Sequence, residues 1–285
     1  MIDELNYASP TSLKDVYSML KEEQYWPLAG ATDLIPKMRR MKLSVDTLVD
    51  ISHFDELNFI RENEGRIAIG ALTVHSVIVE NERLQETAVS LVEAAHSIGC
   101  QQTRNRGTIG GNIANASPAA DILPPLLTYD ATVHIGSSAG KREMPLREFL
   151  AGPGKTALEP GELIEAISFV PLDGYGLSFL KLGKRNGMSI SIASVAAAIA
   201  LGEDGKIGDV RIAMGSVAPT AVRCFEAEKM LIGESASKGL FKQAGQIVAE
   251  HISPIDDVRA SASYRRSTAS ALVVQSLTIA EGRMK

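Results

Sequence analysis

The chain should fold as an α+β protein of two domains. Its 285 residues exceed one average domain, and 45% hydrophobic with 22% charged residues is the balance of a packed protein. Strand and helix signals alternate through the first part, whereas three strand signals followed by three helix signals close the chain, an order that suits an α+β layer. Between them, Pro171-Leu172-Asp173-Gly174-Tyr175-Gly176 combines a proline, two glycines and an aspartate, and marks the domain boundary.

Thr11 to Glu23 reads as an amphipathic helix, because Leu13, Val16, Tyr17 and Leu20 recur at helical spacing and Ser12 with Asp15 forms a capping box. A strand over Tyr25 to Ala29 runs into a glycine turn, Gly30-Ala31-Thr32-Asp33, and then a helix start. Leu48 to Ile51 and Arg66 to Gly70 are further strands, and Thr73 to Val79 is a turn of helix. Thr87 to Ile98 carries Ala88, Leu91, Val92, Ala95 and Ile98 on one face and is closed by Gly99. Residues 103–121 then hold three glycines, three asparagines and a proline between a helix and the apolar run Ile122 to Tyr129. A loop of that length inside a compact domain is usually functional. Ala131 to Ile135, Leu163 to Val170, Ser178 to Leu182, Val195 to Leu201 and Val210 to Gly215 read as strands, and helices follow near 222–232, 237–251 and 264–282. There is no internal repeat and no low-complexity segment.

Several classes are set aside by composition. Lys and Arg number 29 against 34 Asp and Glu, a net charge of −5, with no long basic run, so nucleic acid is not an expected partner. The N-terminus carries Asp3 and Glu4 and no apolar core of signal-peptide length, and no stretch approaches the roughly 18 apolar residues of a membrane span; a cytoplasmic protein is expected. Cys100 and Cys224 form no CxxC, so an iron–sulfur cluster would have to sit on a partner. The histidines at 53, 75, 96, 134 and 251 show none of the pairings that zinc sites use, and no metal site is expected.

Two glycine-rich bends could carry chemistry. In Leu28-Ala29-Gly30-Ala31-Thr32-Asp33, small residues after a strand can present backbone N–H groups to an anion; an ordinary strand-to-helix turn capped by Thr32 or Asp33 is the competing reading. In Thr108-Ile109-Gly110-Gly111-Asn112, the Gly-Gly pair allows close backbone approach, and the hydroxyl and carboxamide add donors; an asparagine-stabilised loop competes. Neither is a dinucleotide fingerprint, since Gly174-Tyr175-Gly176 and Gly152-Pro153-Gly154 lack the third glycine. Gly154-Lys155-Thr156 mimics the end of a P-loop, but its opening glycine falls at Phe149. No GxSxG motif or Cys with a neighbouring base supports hydrolysis, and Cys100 reads as packed. Locally, Asp121 reads as a helix cap or a ligand for sugar hydroxyls, Lys181 as an exposed strand residue, and Tyr264-Arg265-Arg266 as a solvated basic turn or a clamp.

Taken together, the motifs resemble the flavin-binding subunit of the molybdenum hydroxylase family, which includes the medium subunits of xanthine and carbon monoxide dehydrogenases. AGATDL over Ala29 to Leu34 resembles that family's AGGTDL, and residues 103–121 resemble its second loop closely. The likeness continues through Phe149 to Thr156, Lys181 to Ala196, Ala218 to Cys224 and Tyr264-Arg265-Arg266, so nearly the whole chain is covered.

The resemblance implies a PCMH-type FAD-binding domain over 1–172, in two α+β subdomains of about 1–55 and 56–172, followed by an α+β domain over 176–283 similar to the C-terminal domain of the carbon monoxide dehydrogenase flavoprotein. FAD would lie extended between them. Trp26, Pro27, Leu28, Ala29, Gly30, Ala31, Thr32 and Asp33, with Thr108, Ile109, Gly110, Gly111 and Asn112, match the two loops that hold its pyrophosphate and ribityl chain. Asp121 matches a cofactor-contacting aspartate, Lys181 a lysine near the flavin ring, Leu163 an apolar flavin contact and Ile98 the position beside the adenine. Ala31 stands where a second glycine is common, which a methyl group fits if φ is negative there. The extra cysteines of the aromatic-CoA reductase branch are absent, so FAD is the expected cofactor and no cluster.

The function implied is that of a xanthine dehydrogenase-like oxidoreductase subunit. Electrons pass from a large molybdenum-cofactor subunit through a small [2Fe-2S] subunit to FAD here, and on to an acceptor such as NAD+. A self-contained FAD-dependent oxidase of the same topology is the alternative; it requires a substrate cavity with its own base, which the C-terminal part does not offer. A third reading makes the glycine bends structural and the chain an assembly scaffold.

Overall fold

The computed structural model describes residues 5–41 and 45–284; Asp3 and Glu4 lie outside them. A small parallel sheet comes first, in the order β1 (Asn6–Ala8), β3 (Thr47–Asp50), β2 (Tyr25–Leu28), with α1 (Leu13–Met19) and α2 (Leu34–Met41) as connections. Ser12 caps α1 by accepting the amide of Asp15. Val16, Tyr17 and Leu20 pack with Val49, Ile51 and Leu163 in one apolar cluster, so this helix ties the small sheet to its neighbour. The helix is shorter than predicted because the chain turns after Leu20 towards β2.

The second sheet is antiparallel, in the order β4 (Ile60–Asn63), β5 (Arg66–Gly70), β10 (Glu162–Phe169), β6 (Thr132–Ser137), β7 (Gly140–Pro145). Its edge strands β4 and β7 escaped sequence reading because their side chains are mostly exposed and charged, leaving no apolar alternation. Beside this sheet lie the helices α3 (His75–Glu80), α4 (Glu82–Thr87), α5 (Val89–His96), α6 (Gln101–Arg104), α7 (Ile109–Ala114), α8 (Leu123–Thr128) and α9 (Leu146–Phe149), and the hairpin β8 (Leu150–Gly152) with β9 (Lys155–Thr156).

Two predictions need correction. The helix expected over Thr87 to Ile98 is interrupted at Ala88, where φ is −138° and the Thr87 hydroxyl has turned back onto the Arg83 carbonyl. Gly99 does take the left-handed conformation (φ 50°) beyond the end of α5. The long loop expected over 103–121 contains α7 and the end of α6, joined by turns. Its small residues let it lie directly on residues 71–75: Thr108 bridges Val74, and the amides of His75, Ile109 and Gly110 donate to the carbonyls of Gly107, Thr73 and Ala71. A side chain at Gly110 would meet the Ala71 Cβ at 2.6 Å.

The C-terminal part is a four-stranded antiparallel sheet, β11 (Gly176–Leu182), β12 (Ala193–Leu201), β13 (Ile207–Gly215) and β14 (Val222–Arg223), followed by α10 (Phe225–Leu231), α11 (Lys238–His251) and α12 (Ala262–Gly282). Strand β12 is buried on both faces, which is why it reads as an unbroken apolar run. Ala196 and Ala198 face the core shared with α5 and α8, whereas Val195, Ala197 and Ile199 face Phe241, Val248, Val273 and Leu277 of α11 and α12. Alanines on the first face bring the two layers close together. Arg265 is a buried clamp, not a solvated turn: at 2% exposure it donates to the carbonyls of Ile192 (2.5 Å) and Ser216 (2.9 Å) and pairs with Asp257 (2.8 Å). Among the described residues, no helix is long and apolar enough to cross a membrane.

Two outcomes follow from buried or strained positions. Ala31 has φ 61°, not the negative value expected, and a left-handed alanine costs roughly 1–2 kcal/mol. Ala31→Gly should therefore raise the thermal midpoint despite glycine's added unfolded-state freedom, while Ala31→Val lowers it; the reverse order would remove the strain. His75 is 2% exposed, and burial together with the charge of Arg104 pushes its imidazole down to about 4 from 6.5. The unfolded ring takes up a proton that the folded ring refuses, so stability falls as pH drops from 6.5 towards 4, by up to about 3 kcal/mol. Urea unfolding at both ends of that window should show a smaller drop for His75→Gln than for the parent chain.

Candidate functional site

Strand β2 delivers the first bend to the N-terminus of α2. Trp26, Leu28, Ala29, Gly30 and Ala31 are half-buried, and Pro27, Thr32 and Asp33 are exposed, so the bend forms a surface and not a core. Gly30 lies so close to the second segment that an added Cβ would overlap the carbonyl of Arg106. Thr32 also reaches it, since a side chain at Gly107 would meet its Oγ1 at 3.3 Å and His75 Cδ2 at 3.2 Å. Lys37 of α2 then hydrogen-bonds Asn115 and pairs with Asp33 at 2.8 Å. The two bends predicted from the sequence therefore meet.

Their hydrogen-bonding capacity differs. The amides of Gly30, Ala31, Thr32, Asp33 and Leu34 find no acceptor among the described residues, whereas the helical bonds begin only at Ile35, which donates to the Ala31 carbonyl. Partly sheltered, unpaired amides at one bend form a ready set of donors for anionic oxygens. The second bend corrects the sequence reading. Ile109 and Gly110 spend their amides on residues 73 and 71, Gly111 donates to the Thr108 hydroxyl at 3.1 Å, and Asn112 donates to the Thr108 carbonyl at 3.0 Å. This bend is the capped first turn of α7, and its amides from Ile109 to Asn112 are all taken. What it does offer is the Asn112 carboxamide oxygen, buried and without a hydrogen-bond partner.

Asp121 and Lys181 also depart from their local readings. Asp121 does not cap α8, whose N-cap position is held by Ile122 with no side-chain hydrogen bond. Its carboxylate instead accepts from Lys181 Nζ at 2.6 Å and from the Ser191 hydroxyl, and Lys181 donates further to the Ser97 carbonyl at 3.0 Å. The side chains of Lys181 and Asp121 are only 13% and 7% exposed. Burial pushes the Asp121 carboxyl up, against the opposing pull of Lys181 and Ser191. Asp121 precedes α8 while Lys181 and Ser191 flank the loop between β11 and β12, so the pair joins the N-terminal and C-terminal layers.

Lys181 lines a cleft of about 550 Å³ with Ser97, Gly99, Arg104, Gly183 and Met188. Ile98 sits half-buried at its edge, its carbonyl accepting from Arg104 at 3.1 Å. Leu163 does not line this cleft: it is 7% exposed inside the apolar cluster with Val16, Tyr17 and Leu20, against which Ala29 of the first bend packs. Sequence reading missed His75, Arg104, Asn115 and Ser191. Nothing local marks His75, Asn115 and Ser191, because each gains its place through partners distant in sequence, whereas Arg104 is held by Ile98 and Gln101 and matters through the cleft that it shares with Lys181. Among the described residues, no three His, Cys, Asp or Glu side chains group in a way that could hold a metal ion.

The geometry has counterparts in known proteins. Residues 3–172 match the family model of the FAD binding domain in molybdopterin dehydrogenase, and residues 178–280 that of the CO dehydrogenase flavoprotein C-terminal domain. The glyceraldehyde dehydrogenase medium chain of Sulfolobus acidocaldarius is 35% identical over 95% of this chain and 96% of its own length. The xanthine dehydrogenase FAD-binding subunit of Escherichia coli is 32% identical, covering 93% and 92%. Among solved structures, carbon monoxide dehydrogenase from Hydrogenophaga pseudoflava, in a form lacking the Mo-pyranopterin moiety of its molybdenum cofactor, superimposes with a TM-score of 0.96 at 30% identity over the full length of both chains. With both models matched in succession and these relatives aligned end to end, the chain belongs to the FAD-binding medium subunits of the molybdenum hydroxylase family.

Proposed function

We propose that this chain is the xanthine dehydrogenase-like electron-transfer subunit of a heteromeric molybdenum hydroxylase. It takes electrons from iron–sulfur centres on a small [2Fe-2S] partner and passes them through FAD to an acceptor such as NAD+, while a large partner holds the molybdenum cofactor and the substrate. The names of its relatives support this reading: they are medium chains or FAD-binding subunits of enzymes acting on glyceraldehyde, carbon monoxide, xanthine and nicotinate. Such varied substrates on similar medium chains fit a substrate pocket carried by another subunit. We place the complex in the cytoplasm and divide the chain into a FAD-binding unit, 1–172, and a C-terminal unit, 176–283.

The observation that carries the proposal is the run of amides from Gly30 to Leu34 that find no acceptor among the described residues, held against the second bend by a glycine whose added Cβ would overlap the Arg106 carbonyl. In this reading the first bend, Trp26 to Asp33, binds the pyrophosphate through its backbone, and the second supports it through Thr108 to Asn112. The orphan oxygen of Asn112 accepts a hydroxyl of the ribityl chain. Asp121 and Lys181 hold opposite charges at the cleft, with the ammonium set to favour negative charge on the flavin ring. Ile98 borders the adenine, and Leu163 is an apolar flavin contact, in the cluster against which Ala29 of the first bend packs. Bound there, FAD supplies the redox chemistry that no side chain of this protein has.

Three measurements test this. The absorption spectrum and metal content of the native complex should report flavin, molybdenum and iron–sulfur together; a colourless preparation that takes up no added FAD would sink it. Gly30→Ala should weaken FAD binding by about tenfold or more by separating the bends, an amount equal to one lost charge-assisted hydrogen bond. Lys181→Gln, which keeps a donor for Asp121 but removes the charge, should lower turnover with the acceptor while FAD stays bound. Unchanged acceptor kinetics would remove that role.

A further inference from the structure

The hydroxyl of Ser191 is fully buried at 0% exposure and donates to Asp121 Oδ1. The other carboxylate oxygen, Oδ2, accepts from Lys181 Nζ at 2.6 Å. Thus one buried carboxylate is fixed from two sides, by two residues that close the same loop: Lys181 at the end of β11 and Ser191 just before β12. The loop is internally braced as well, with the Ser189 hydroxyl accepting the Lys184 amide at 3.0 Å and Ile192 donating to the Leu182 carbonyl at 2.7 Å. A carboxylate held by a single partner can rotate and drag that partner with it, whereas one pinned at both oxygens cannot.

We propose that Ser191 is a positioning residue: by pinning the Asp121 carboxylate, it fixes the Lys181 ammonium at the wall of the cleft. Neither Ser191 nor any residue of the loop between Leu182 and Ile192 was singled out for this site by its sequence. The role rests on the reading of Lys181 as the charge beside the flavin. Removing the hydroxyl leaves Asp121 Oδ1 buried without a donor, so the carboxylate turns to satisfy both oxygens from Lys181 and draws the ammonium off the Ser97 carbonyl, away from the cleft.

The test uses the full chain loaded with FAD, and reads the midpoint potential of the bound flavin by spectroelectrochemistry, with FAD retention and thermal midpoint as companions. Ser191→Ala should shift the potential in the same direction as Lys181→Gln, by a smaller amount. In an Asp121→Asn background, Ser191→Ala should produce no further shift, because the carboxylate through which it acts is gone. Should Ser191→Ala fail to retain FAD, Ser191→Cys, close in volume and a weaker donor, takes its place in the same cycle. A potential unmoved by the Ser191 variant while Lys181→Gln moves it overturns the proposal, and so does a shift that persists undiminished in the Asp121→Asn background. If Lys181→Gln itself leaves the potential unmoved while every variant retains FAD, the placement of Lys181 at the flavin fails and the role of Ser191 falls with it, whereas the FAD-binding assignment stands.

Discussion

The site depends on a contact between two backbones. Gly30 and the Arg106 carbonyl approach so closely that any Cβ at position 30 would occupy the oxygen's place. This contact brings the small parallel sheet, with its bend, against the segment that is stitched to residues 71–75 beside the larger sheet. Without it, the amides from Gly30 to Leu34 would open to solvent as an ordinary strand-to-helix turn, one of the readings that the local sequence permits. The constraint is steric, and it explains why a glycine is needed at 30 even though its backbone is not left-handed there. Position 31 is the reverse case, since its backbone is left-handed and yet carries a methyl group.

The two bends divide the work between them. Similar in composition, they differ in what their amides do: the second spends those of Ile109 to Asn112 on anchoring itself to Ala71 and Thr73 and on capping α7, while those of the first find no acceptor among the described residues. A rigid platform thus supports a donor-rich edge. Preorganisation of this kind lets a dinucleotide bind without first ordering the loop that receives it. His75 and Asn112, each with a buried polar atom lacking a partner, show that the junction has polar capacity that the protein alone does not use.

The second organising element is the ion pair Asp121–Lys181. A buried pair of this kind adds little stability over an apolar substitute, but removing one partner is costly because the other charge is stranded. Its value here is positional. It joins the segment before α8 to the β11 strand across the packed alanine face of β12, so the cleft wall is built from both layers. Arg265 does the same deeper in the C-terminal layer, tying the start of α12 to the carbonyls of Ile192 and Ser216. Lys181 looked solvent-exposed in isolation, because a cation in a strand usually is, whereas the local sequence left Arg265 open between a solvated turn and a clamp.

The sequence by itself determined the three long strands and the three helices that follow them in the C-terminal layer, though not the short β14 at the start of the expected helix near 222–232, and also the apolar course of β12, the capped start of α1 and the two glycine bends, because each follows from local periodicity or from a residue's own conformational freedom. It also carried the motifs that resemble the family. Only the tertiary structure decided that the bends meet, that the second bend's amides from Ile109 to Asn112 are already spent, that Ala31 is left-handed, and that Asp121 pairs with Lys181 and Ser191 instead of capping α8. These are long-range facts: Gly30 and Arg106, or Asp121 and Lys181, come together only when whole sheets have packed, and no local pattern of residues encodes which distant carbonyl will use up an amide.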